Sequence, residues 1–328
     1  MKKIKPAMRM MNRRRFLAGS AGLALARYSP AFGQYAVNVP RSSFDATSTA
    51  EEVTANIDLT GKTALVTGCN SGIGYETMRV LAQRGAHVIG TARSMEKGKD
   101  ACESVEGRCT PLLLELTDFD SVVACTDQVQ AMDVPLDILV CNAGVLFRDL
   151  QQARSLEMHF VVNHLGHFIL VNRLLDEVAA APEGRVVVVS SVAHRNVPAG
   201  GIQFDDLSGR GWATSAYGHS KLANGLFSLE LARQFEGTRA TSNSLHPGRV
   251  DTNIFRNVAG RLSRRGLKTV EEGAATTCYV ATNTALAGVS GYYFSDCNPQ
   301  EPTVLMQDTE MAGRLWEVSE NLVRDYLA

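Results

Sequence analysis

The chain has 328 residues, of which 45% are hydrophobic, enough for one large domain or two small ones with a sizeable buried core. Its 33 lysines and arginines nearly balance its 34 aspartates and glutamates, and the formal net charge is -1. Such a chain has no general electrostatic attraction for nucleic acid or anionic lipid, so we expect no nucleic-acid partner.

The first 33 residues have the composition of a secretory signal peptide. Residues 1–15 are basic without an acidic residue, and residues 16–26 form a short apolar stretch rich in alanine and glycine. Arg13 and Arg14, which precede Arg15 and then Phe-Leu, resemble the twin-arginine export signal. The apolar stretch is shorter than the roughly 20 residues of a membrane span. We therefore expect an exported, periplasmic protein with no stable membrane span; if the leader is not used, the protein would be cytoplasmic or membrane-associated.

Residues 34–56 are rich in Ser, Thr and Ala and predict a linker before a folded domain over residues 57–328. In that domain, apolar β-branched runs alternate with longer amphipathic segments. The pattern is typical of a parallel sheet, because each parallel strand needs a crossover connection. We predict an α/β fold: a single Rossmann-type doubly wound domain with a central parallel β-sheet flanked by helices. The predicted strands cover residues 63–67, 87–91, 111–114, 136–141, 185–190, 240–245 and 291–294.

A glycine-rich loop follows the first predicted strand, and a predicted helix over residues 76–84 follows the loop. Gly68 permits a tight turn, Gly72 lets the backbone approach a phosphate, and Gly74 lets the helix pack closely. The arrangement predicts a pyrophosphate site at the helix N-terminus, although a tight turn without a ligand can have the same pattern. The cofactor-binding residues predicted here are Gly68, Asn70, Ser71, Gly72, Ile73 and Gly74.

The turn after the second strand predicts which dinucleotide is bound. An acidic residue at this turn favours a ribose hydroxyl, whereas a cation favours a ribose phosphate. The turn has Arg93 and no acidic residue, and Lys97 could assist. We therefore expect NADP(H) to be preferred, with NAD(H) as the other cofactor that could be used; Arg93 could also be a surface residue at a helix start.

A tyrosine and a lysine in a predicted helix over residues 215–234 suggest acid/base chemistry. Tyr217 and Lys221 are four residues apart, so they share one helix face. A nearby ammonium stabilises tyrosinate, and we expect it to lower the phenol pKa towards the operating pH. Ser191 ends a strand of four valines. Taken alone, this spacing occurs often by chance, and a solvated helix face would be the favoured interpretation.

Further motifs accompany these residues in a fixed order. They are Asn142-Ala143-Gly144, Asn163, Ser191, Tyr217 with Lys221, and Pro247-Gly248. The chain thereby resembles the short-chain dehydrogenases/reductases from about Leu59 onwards. Two segments, NHLGHF at 163–168 and YGHSKLAN at 217–224, narrow the resemblance to the retinol-dehydrogenase-like group, which includes WW-domain-containing oxidoreductases.

The resemblance implies an NAD(P)-binding catalytic domain over residues 57–328. Tyr217 would exchange the proton, and Lys221 would lower its pKa and hold the nicotinamide ribose. Ser191 would hydrogen-bond the reacting oxygen, and Asn163 would bend its helix and hold a water that links Lys221 to solvent. Family members often pair through the helices that carry these residues, so a homodimer is also implied. The implied cofactor contacts also include Leu116, Asn142, Ala143, Gly144, Pro247, Gly248, Val250 and Thr252.

Two features depart from the family pattern. Glu115-Leu116 stands where the family usually has Asp-Leu, which could shift the adenine contact. An export leader replaces the membrane anchor of vertebrate retinol enzymes, which puts a retinoid substrate in doubt. The seven scattered cysteines contain no C-x-x-C pair, and buried free thiols are the expected state.

Four histidines could contact a metal ion or a substrate. His164 and His167 are three apart, but no carboxylate or cysteine completes a zinc set, so we predict structural roles and no metal. His194 and His246 follow predicted strands and either touch substrate or bond to loops.

We predict an NADP(H)-dependent oxidoreductase that interconverts an alcohol and a lipophilic aldehyde or ketone. Residues 253–265, in which apolar residues and arginines alternate, predict an amphipathic lid over an apolar substrate, although a surface helix or an oligomer contact is equally compatible. The alternative function is a catalytically silent nucleotide-binding interaction protein of the same fold, since fold alone does not define function.

Overall fold

The computed structural model describes residues 39–257 and 266–328. The strands of this part of the chain are β1 (Thr63–Thr67), β2 (His87–Ala92), β3 (Arg108–Leu113), β4 (Ile138–Cys141), β5 (Gln152–Ala153), β6 (Leu156–Glu157), β7 (Arg185–Val189), β8 (Thr241–His246), β9 (Tyr293–Ser295) and β10 (Asn298–Pro299). Eight of them form one sheet in the order β10-β9-β8-β7-β4-β1-β2-β3, and β5 pairs with β6. Every pair of the large sheet is parallel except β9 with β10. The predicted doubly wound α/β fold is confirmed.

Helices connect the strands and cover both faces of the sheet. They are α1 (Ala50–Val53), α2 (Gly72–Gln83), α3 (Met95–Glu103), α4 (Phe119–Gln130), α5 (Gly166–Arg173), α6 (Leu175–Ala180), α7 (Ala216–Gln234), α8 (Val270–Thr282) and α9 (Thr309–Val323). A π-helix, Phe160–Leu165, runs directly into α5. Local sequence sets several helix starts: Thr269 and Glu272 form a capping box at α8, and Asp308 caps α9.

Each face of the sheet has its own hydrophobic core. Successive strand residues point to opposite faces, so Leu65 of β1 packs into one core while its neighbours Ala64 and Val66 pack into the other. Helices α4, α5, α7 and α9 cover the Leu65 face, and α2 and α8 cover the other. All five residues of β1 are buried, as a parallel strand between two helical layers requires.

The third strand begins earlier than the sequence predicted. Strand β3 starts at Arg108 and contains Pro111, which was expected to open the strand. A proline is compatible with this position because β3 is the last strand in the sheet order and its outer side needs no hydrogen-bond donor.

Helix α9 was not predicted from the sequence, yet it covers the two helices next to the sheet. Trp316 lies against Phe168 of α5, with 4.8 Å between ring centroids, and stacks on Phe227 of α7 at 5.7 Å. Ser319 hydrogen-bonds His164 at 2.8 Å. The outer faces of α5 and α7 are therefore covered by the chain itself.

Residues 39–56 pack onto the domain, whereas the sequence suggested a linker as far as residue 56. Ala50 and Val53 of α1 are buried, and Ser42 donates a hydrogen bond to the Cys297 carbonyl at 2.9 Å. The linker therefore cannot extend beyond residue 38 as a free segment. The predicted signal peptide, residues 1–33, lies outside the described residues. In the part of the chain that is described, no helix has the length and apolarity needed to cross a bilayer.

Cys102 and Cys109 form a disulfide, which corrects the expectation that the cysteines are free thiols. Their Cα atoms are 5.3 Å apart, where the end of α3 meets the start of β3. The two cysteines are seven residues apart in the sequence, so they do not have the C-x-x-C spacing that would have predicted a pair. The other five cysteines are free and buried, as expected.

Candidate active site

A cleft of about 540 Å³ opens at the carboxyl ends of β1, β2, β4, β7 and β8. Doubly wound sheets bind ligands at this edge, where the loops after adjacent strands diverge. All the residues predicted to bind the cofactor line this cleft, as do Ser191, Tyr217 and Lys221. Asn163, the fourth predicted catalytic residue, lies behind the cleft wall and is fully buried.

The glycine loop leaves room for a phosphate group against the start of α2. Gly68 and Gly72 have positive φ angles of 74° and 60°, which favour glycine. A Cβ atom at Gly74 would lie 2.3 Å from the Gly68 carbonyl oxygen, so only glycine allows this close approach. Ser71 at the N-cap makes no side-chain capping bond, which leaves the first N–H groups of α2 to a ligand. The loop thus fits the pyrophosphate of a dinucleotide.

The Thr67 hydroxyl, which the sequence analysis did not single out, joins the glycine loop to two other segments. Its Oγ1 accepts hydrogen bonds from the backbone N–H groups of Asn142 and Ala143, both at 2.9 Å. It lies 2.9 Å from Nε2 of His167, whose Nδ1 is 3.1 Å from the Asn163 carbonyl. Because a carbonyl only accepts, His167 carries its proton on Nδ1, and Nε2 accepts from the threonine.

A smaller cavity of about 170 Å³ adjoins the cleft at the turn after β2. All of its lining residues are polar or charged: Asn70, Arg93, Ser94, Lys97 and Glu115. Two of them, Arg93 and Lys97, are cations. Both cations are exposed, and Ser94 caps α3. The Glu115 carboxylate accepts hydrogen bonds from the backbone and hydroxyl of Thr117, at 3.0 and 2.9 Å, so its charge is partly engaged locally. The cavity suits an anionic group.

The segment after β7 and helix α7 bring three of the predicted catalytic side chains together. Ser191 lies two residues after the end of β7, at the start of a short 3-10 helix. Tyr217 and Lys221 lie on the first two turns of α7. Gly218 allows this approach, because a Cβ atom there would lie 1.9 Å from the Asn196 carbonyl oxygen. The Lys221 ammonium donates to the Val189 carbonyl at 2.9 Å and is 5.7 Å from the centre of the Tyr217 ring.

The pKa of Tyr217 moves opposite to the direction expected from its spacing to Lys221. Burial raises the pKa of the phenol to about 12, and a hydrogen bond with Ser191 lowers it only in part. Burial also lowers the pKa of the Lys221 ammonium to about 8. The Lys221 ammonium donates its hydrogen bond to the Val189 carbonyl and not to the phenol, and the effect of burial on the phenol dominates. The expectation of a lowered tyrosine pKa is therefore corrected for this structure.

Asn163 lies in the π-helix, where the helical hydrogen-bond pattern is interrupted. Its side-chain oxygen accepts from the Val145 N–H at 2.8 Å, and its amide donates to the Val145 carbonyl at 3.2 Å and to Ser220 at 3.0 Å. The irregular helix agrees with the implied bend at this residue. The implied water link between Asn163 and Lys221 remains a prediction.

The remaining histidines have different environments. His194 is buried, and its ring nitrogens bond to the Ser191 carbonyl at 2.6 Å and the Thr303 N–H at 3.3 Å, which makes it a loop-holding residue. His246 lines the cleft, and burial lowers its pKa to about 4. His246 is thus neutral near pH 7 and available to a ligand.

Eight of the apolar side chains that line the cleft are called its apolar wall below; most of them were not recognised from the sequence. The wall consists of Val145, Leu146, Phe147, Met158, Val162, Val192, Ile254 and Phe255. Only Ile254 and Phe255 were predicted, as part of the amphipathic lid. Val258 and Leu262, the other apolar residues of that lid, lie outside the described residues.

Comparison with known proteins agrees with this geometry. The family model for short chain dehydrogenase matches residues 62–262. The short-chain dehydrogenase TIC 32 B, chloroplastic, of Brassica napus is 42% identical over 313 residues, covering 89% of this chain and 98% of the relative. Retinol dehydrogenase 12 of Mus musculus is 39% identical over 283 residues, covering 82% of this chain and 89% of the relative. A solved structure of an uncharacterized Mycobacterium paratuberculosis protein has a TM-score of 0.68 and 31% identity. The match covers 84% of this chain and 97% of that protein's chain.

The chain belongs to the short-chain dehydrogenase family. Within it, the chain is a member of the retinol-dehydrogenase-like group, as the resemblance implied. It is an NAD(P)-dependent oxidoreductase of alcohols or carbonyl compounds.

Proposed function

We propose that the protein reduces a lipophilic aldehyde or ketone, or oxidises the matching alcohol, with NADP(H) as preferred cofactor and Tyr217 as acid/base. The observation that carries the proposal is the position of Tyr217. Its side chain lines a cleft that is also lined by a glycine-rich phosphate loop and by apolar side chains, and a cavity with two cations adjoins this cleft.

The side chains divide the work between binding and proton transfer. When bound, the nicotinamide supplies or accepts the hydride. Tyr217 donates its proton to the carbonyl oxygen in reduction and removes it from the alcohol in oxidation. Ser191 holds that oxygen by a hydrogen bond, and the Lys221 ammonium stabilises the tyrosinate that reduction leaves behind.

A cofactor titration tests the preference for NADP(H). Arg93→Ala should weaken NADPH binding about tenfold or more, because one charge-assisted contact to a phosphate is lost, and should leave NADH binding nearly unchanged. Arg239→Ala is the matched control, since Arg239 is exposed and does not line the cleft. Equal losses for both cofactors in Arg93→Ala would contradict the proposal.

A series of aldehydes of increasing chain length tests the substrate class. Each methylene buried against the apolar wall should raise kcat/KM up to about fourfold, until the pocket is full. Tyr217→Phe should abolish turnover and keep NADPH binding. Binding of NADPH without turnover of any carbonyl compound or alcohol would favour the silent nucleotide-binding protein instead.

We also propose that the protein is exported through its twin-arginine-like leader. The Cys102–Cys109 disulfide supports an oxidising compartment, since disulfides are rare in the cytosol. Fractionation of cells that express the full chain should place the wild type in the periplasm. Replacement of Arg13 and Arg14 by lysine should retain the protein inside, and an unchanged distribution would refute the export route.

The proposed homodimer needs a surface other than the outer faces of α5 and α7. Those faces are covered by α9, with Trp316 packed on Phe168 and Phe227. We propose that any pairing of this chain uses another part of its surface.

A further inference from the structure

A carboxylate and an imidazole form a buried pair beside the cleft that the proposed chemistry does not use. Glu157 Oε1 lies 2.6 Å from Nδ1 of His159. The Glu157 side chain has no exposed surface, and only 2% of the His159 side chain is exposed. Burying a carboxylate costs free energy unless it is fully hydrogen-bonded, so the partners of this pair indicate what it does.

The hydrogen bonds of the pair define its protonation state. The backbone N–H of Phe147 donates to Nε2 of His159 at 2.8 Å. A backbone N–H can only donate, so Nε2 carries no proton and the ring proton must be on Nδ1. That proton is therefore donated to Glu157, whose other oxygen accepts from the Phe160 N–H at 3.0 Å. The imidazole is held in one tautomer and one orientation.

This chain of hydrogen bonds ends in the wall of the cleft. Phe147 lines the cleft, and so does Met158, which stands between Glu157 and His159 in the sequence. The His159 ring is 5.8 Å from the Tyr217 ring in an edge-on arrangement and 5.7 Å from the Phe147 ring. The pair thus connects the apolar wall to the side chain that exchanges the proton.

The loop that carries Phe147 is held at two points. Asn163 binds both the N–H and the carbonyl of Val145, and His159 binds the N–H of Phe147 two residues later. Without the imidazole, the N–H of Phe147 would lose its partner, and the loop would have to shift to satisfy it. The space around the pair is also restricted, because a Cβ atom at Gly209 would lie 2.6 Å from Glu157 Cγ.

We propose that Glu157 and His159 act as positioning residues: they fix the backbone of Phe147 and so set the shape of the apolar wall that selects long substrates over short ones. This inference rests on the proposed function, since it assigns two residues to substrate selection in the same cleft. Neither residue takes part in the proposed proton transfer.

Two substitutions at His159 test the proposal. His159→Phe keeps an aromatic ring but removes the acceptor for the Phe147 N–H. His159→Gln can present its side-chain oxygen near the former Nε2 position. We expect His159→Phe to reduce the ratio of kcat/KM for a long aldehyde to that for a short one about tenfold, mainly through KM, because a buried N–H is left unsatisfied. NADPH binding should change less than about twofold, and His159→Gln should recover most of the ratio.

A merely structural role would reduce activity towards both aldehydes equally and leave their ratio unchanged, which would overturn the inference. If the wild type turns over neither aldehyde, the proposed function itself fails. The pair has an independent readout in the wild type: 15N NMR of histidine-labelled protein should show that Nδ1 of His159 carries a proton and that Nε2 does not. A proton on Nε2 would overturn the inference even if His159→Phe fails to fold.

Discussion

Replacement of Lys221 by methionine should stabilise the fold while it abolishes turnover. The Lys221 residue is 2% exposed, and burial lowers the pKa of its ammonium from the ordinary 10.5 to about 8. That difference corresponds to a destabilisation of about 3 kcal/mol when the group is charged in both the folded and the unfolded states. The lost hydrogen bond to Val189 costs about 1 kcal/mol, and its carbonyl keeps a bond from Asn224 at 3.1 Å. Lys221→Met should therefore gain about 2 kcal/mol at pH 7.

The pH dependence of this gain has a defined sign. Below pH 8 both states of the wild type are charged at Lys221, so the full cost is present. Between pH 8 and 10.5 the unfolded state binds more protons than the folded state, so wild-type stability rises with pH relative to the variant. The advantage of Lys221→Met should thus shrink steadily across that window.

Urea unfolding followed by circular dichroism at several pH values measures both effects. Lys99→Met is the matched control, because Lys99 is exposed on α3. It should change stability by less than about 0.5 kcal/mol at every pH. A destabilised Lys221→Met at pH 7, or a stability difference that does not depend on pH, would refute the reasoning.

Three further predictions concern the scaffold. Alkylation of the unfolded, unreduced chain should label five of its seven cysteines, and seven labels would exclude the bond between Cys102 and Cys109. Cys109→Ser should lower the free energy of unfolding by about 2 kcal/mol. Gly74→Ala should weaken dinucleotide binding at least about tenfold in a fluorescence titration, whereas Gly313→Ala, with open space around its Cα, should not; equal affinities would contradict the close-approach argument. Trp316→Ala should cost about 3 to 5 kcal/mol and expose the faces of α5 and α7, so light scattering should detect self-association; an unchanged melting temperature would count against the packing of α9.

The parts of this fold that depend on local patterns were predictable from the sequence. Buried parallel strands read as short β-branched runs, and Gly68, Gly72 and Gly74 mark a turn that few other residues could form. The rules for crossover connections then reduce the number of possible strand orders, and they require no knowledge of side-chain contacts.

The parts that the sequence did not predict depend on contacts between distant residues. The spacing of Tyr217 and Lys221 on α7 suggested electrostatic coupling. The Lys221 ammonium instead donates its hydrogen bond to Val189, which belongs to strand β7. The role of Glu157 depends on Phe147, a loop residue with no pattern of its own. The disulfide was missed for the same reason. Helix α9, by contrast, has a local signal that was not used, because Asp308 caps an amphipathic segment.

The hydroxyl of Thr67 has a consequence for how a dinucleotide enters the cleft. One oxygen joins the end of β1, the turn after β4 and, through His167, the π-helix. Three segments distant in sequence are thus held in one arrangement by protein contacts alone. A ligand that meets a surface already in its bound shape loses less conformational entropy on association, so more of the contact energy remains as affinity.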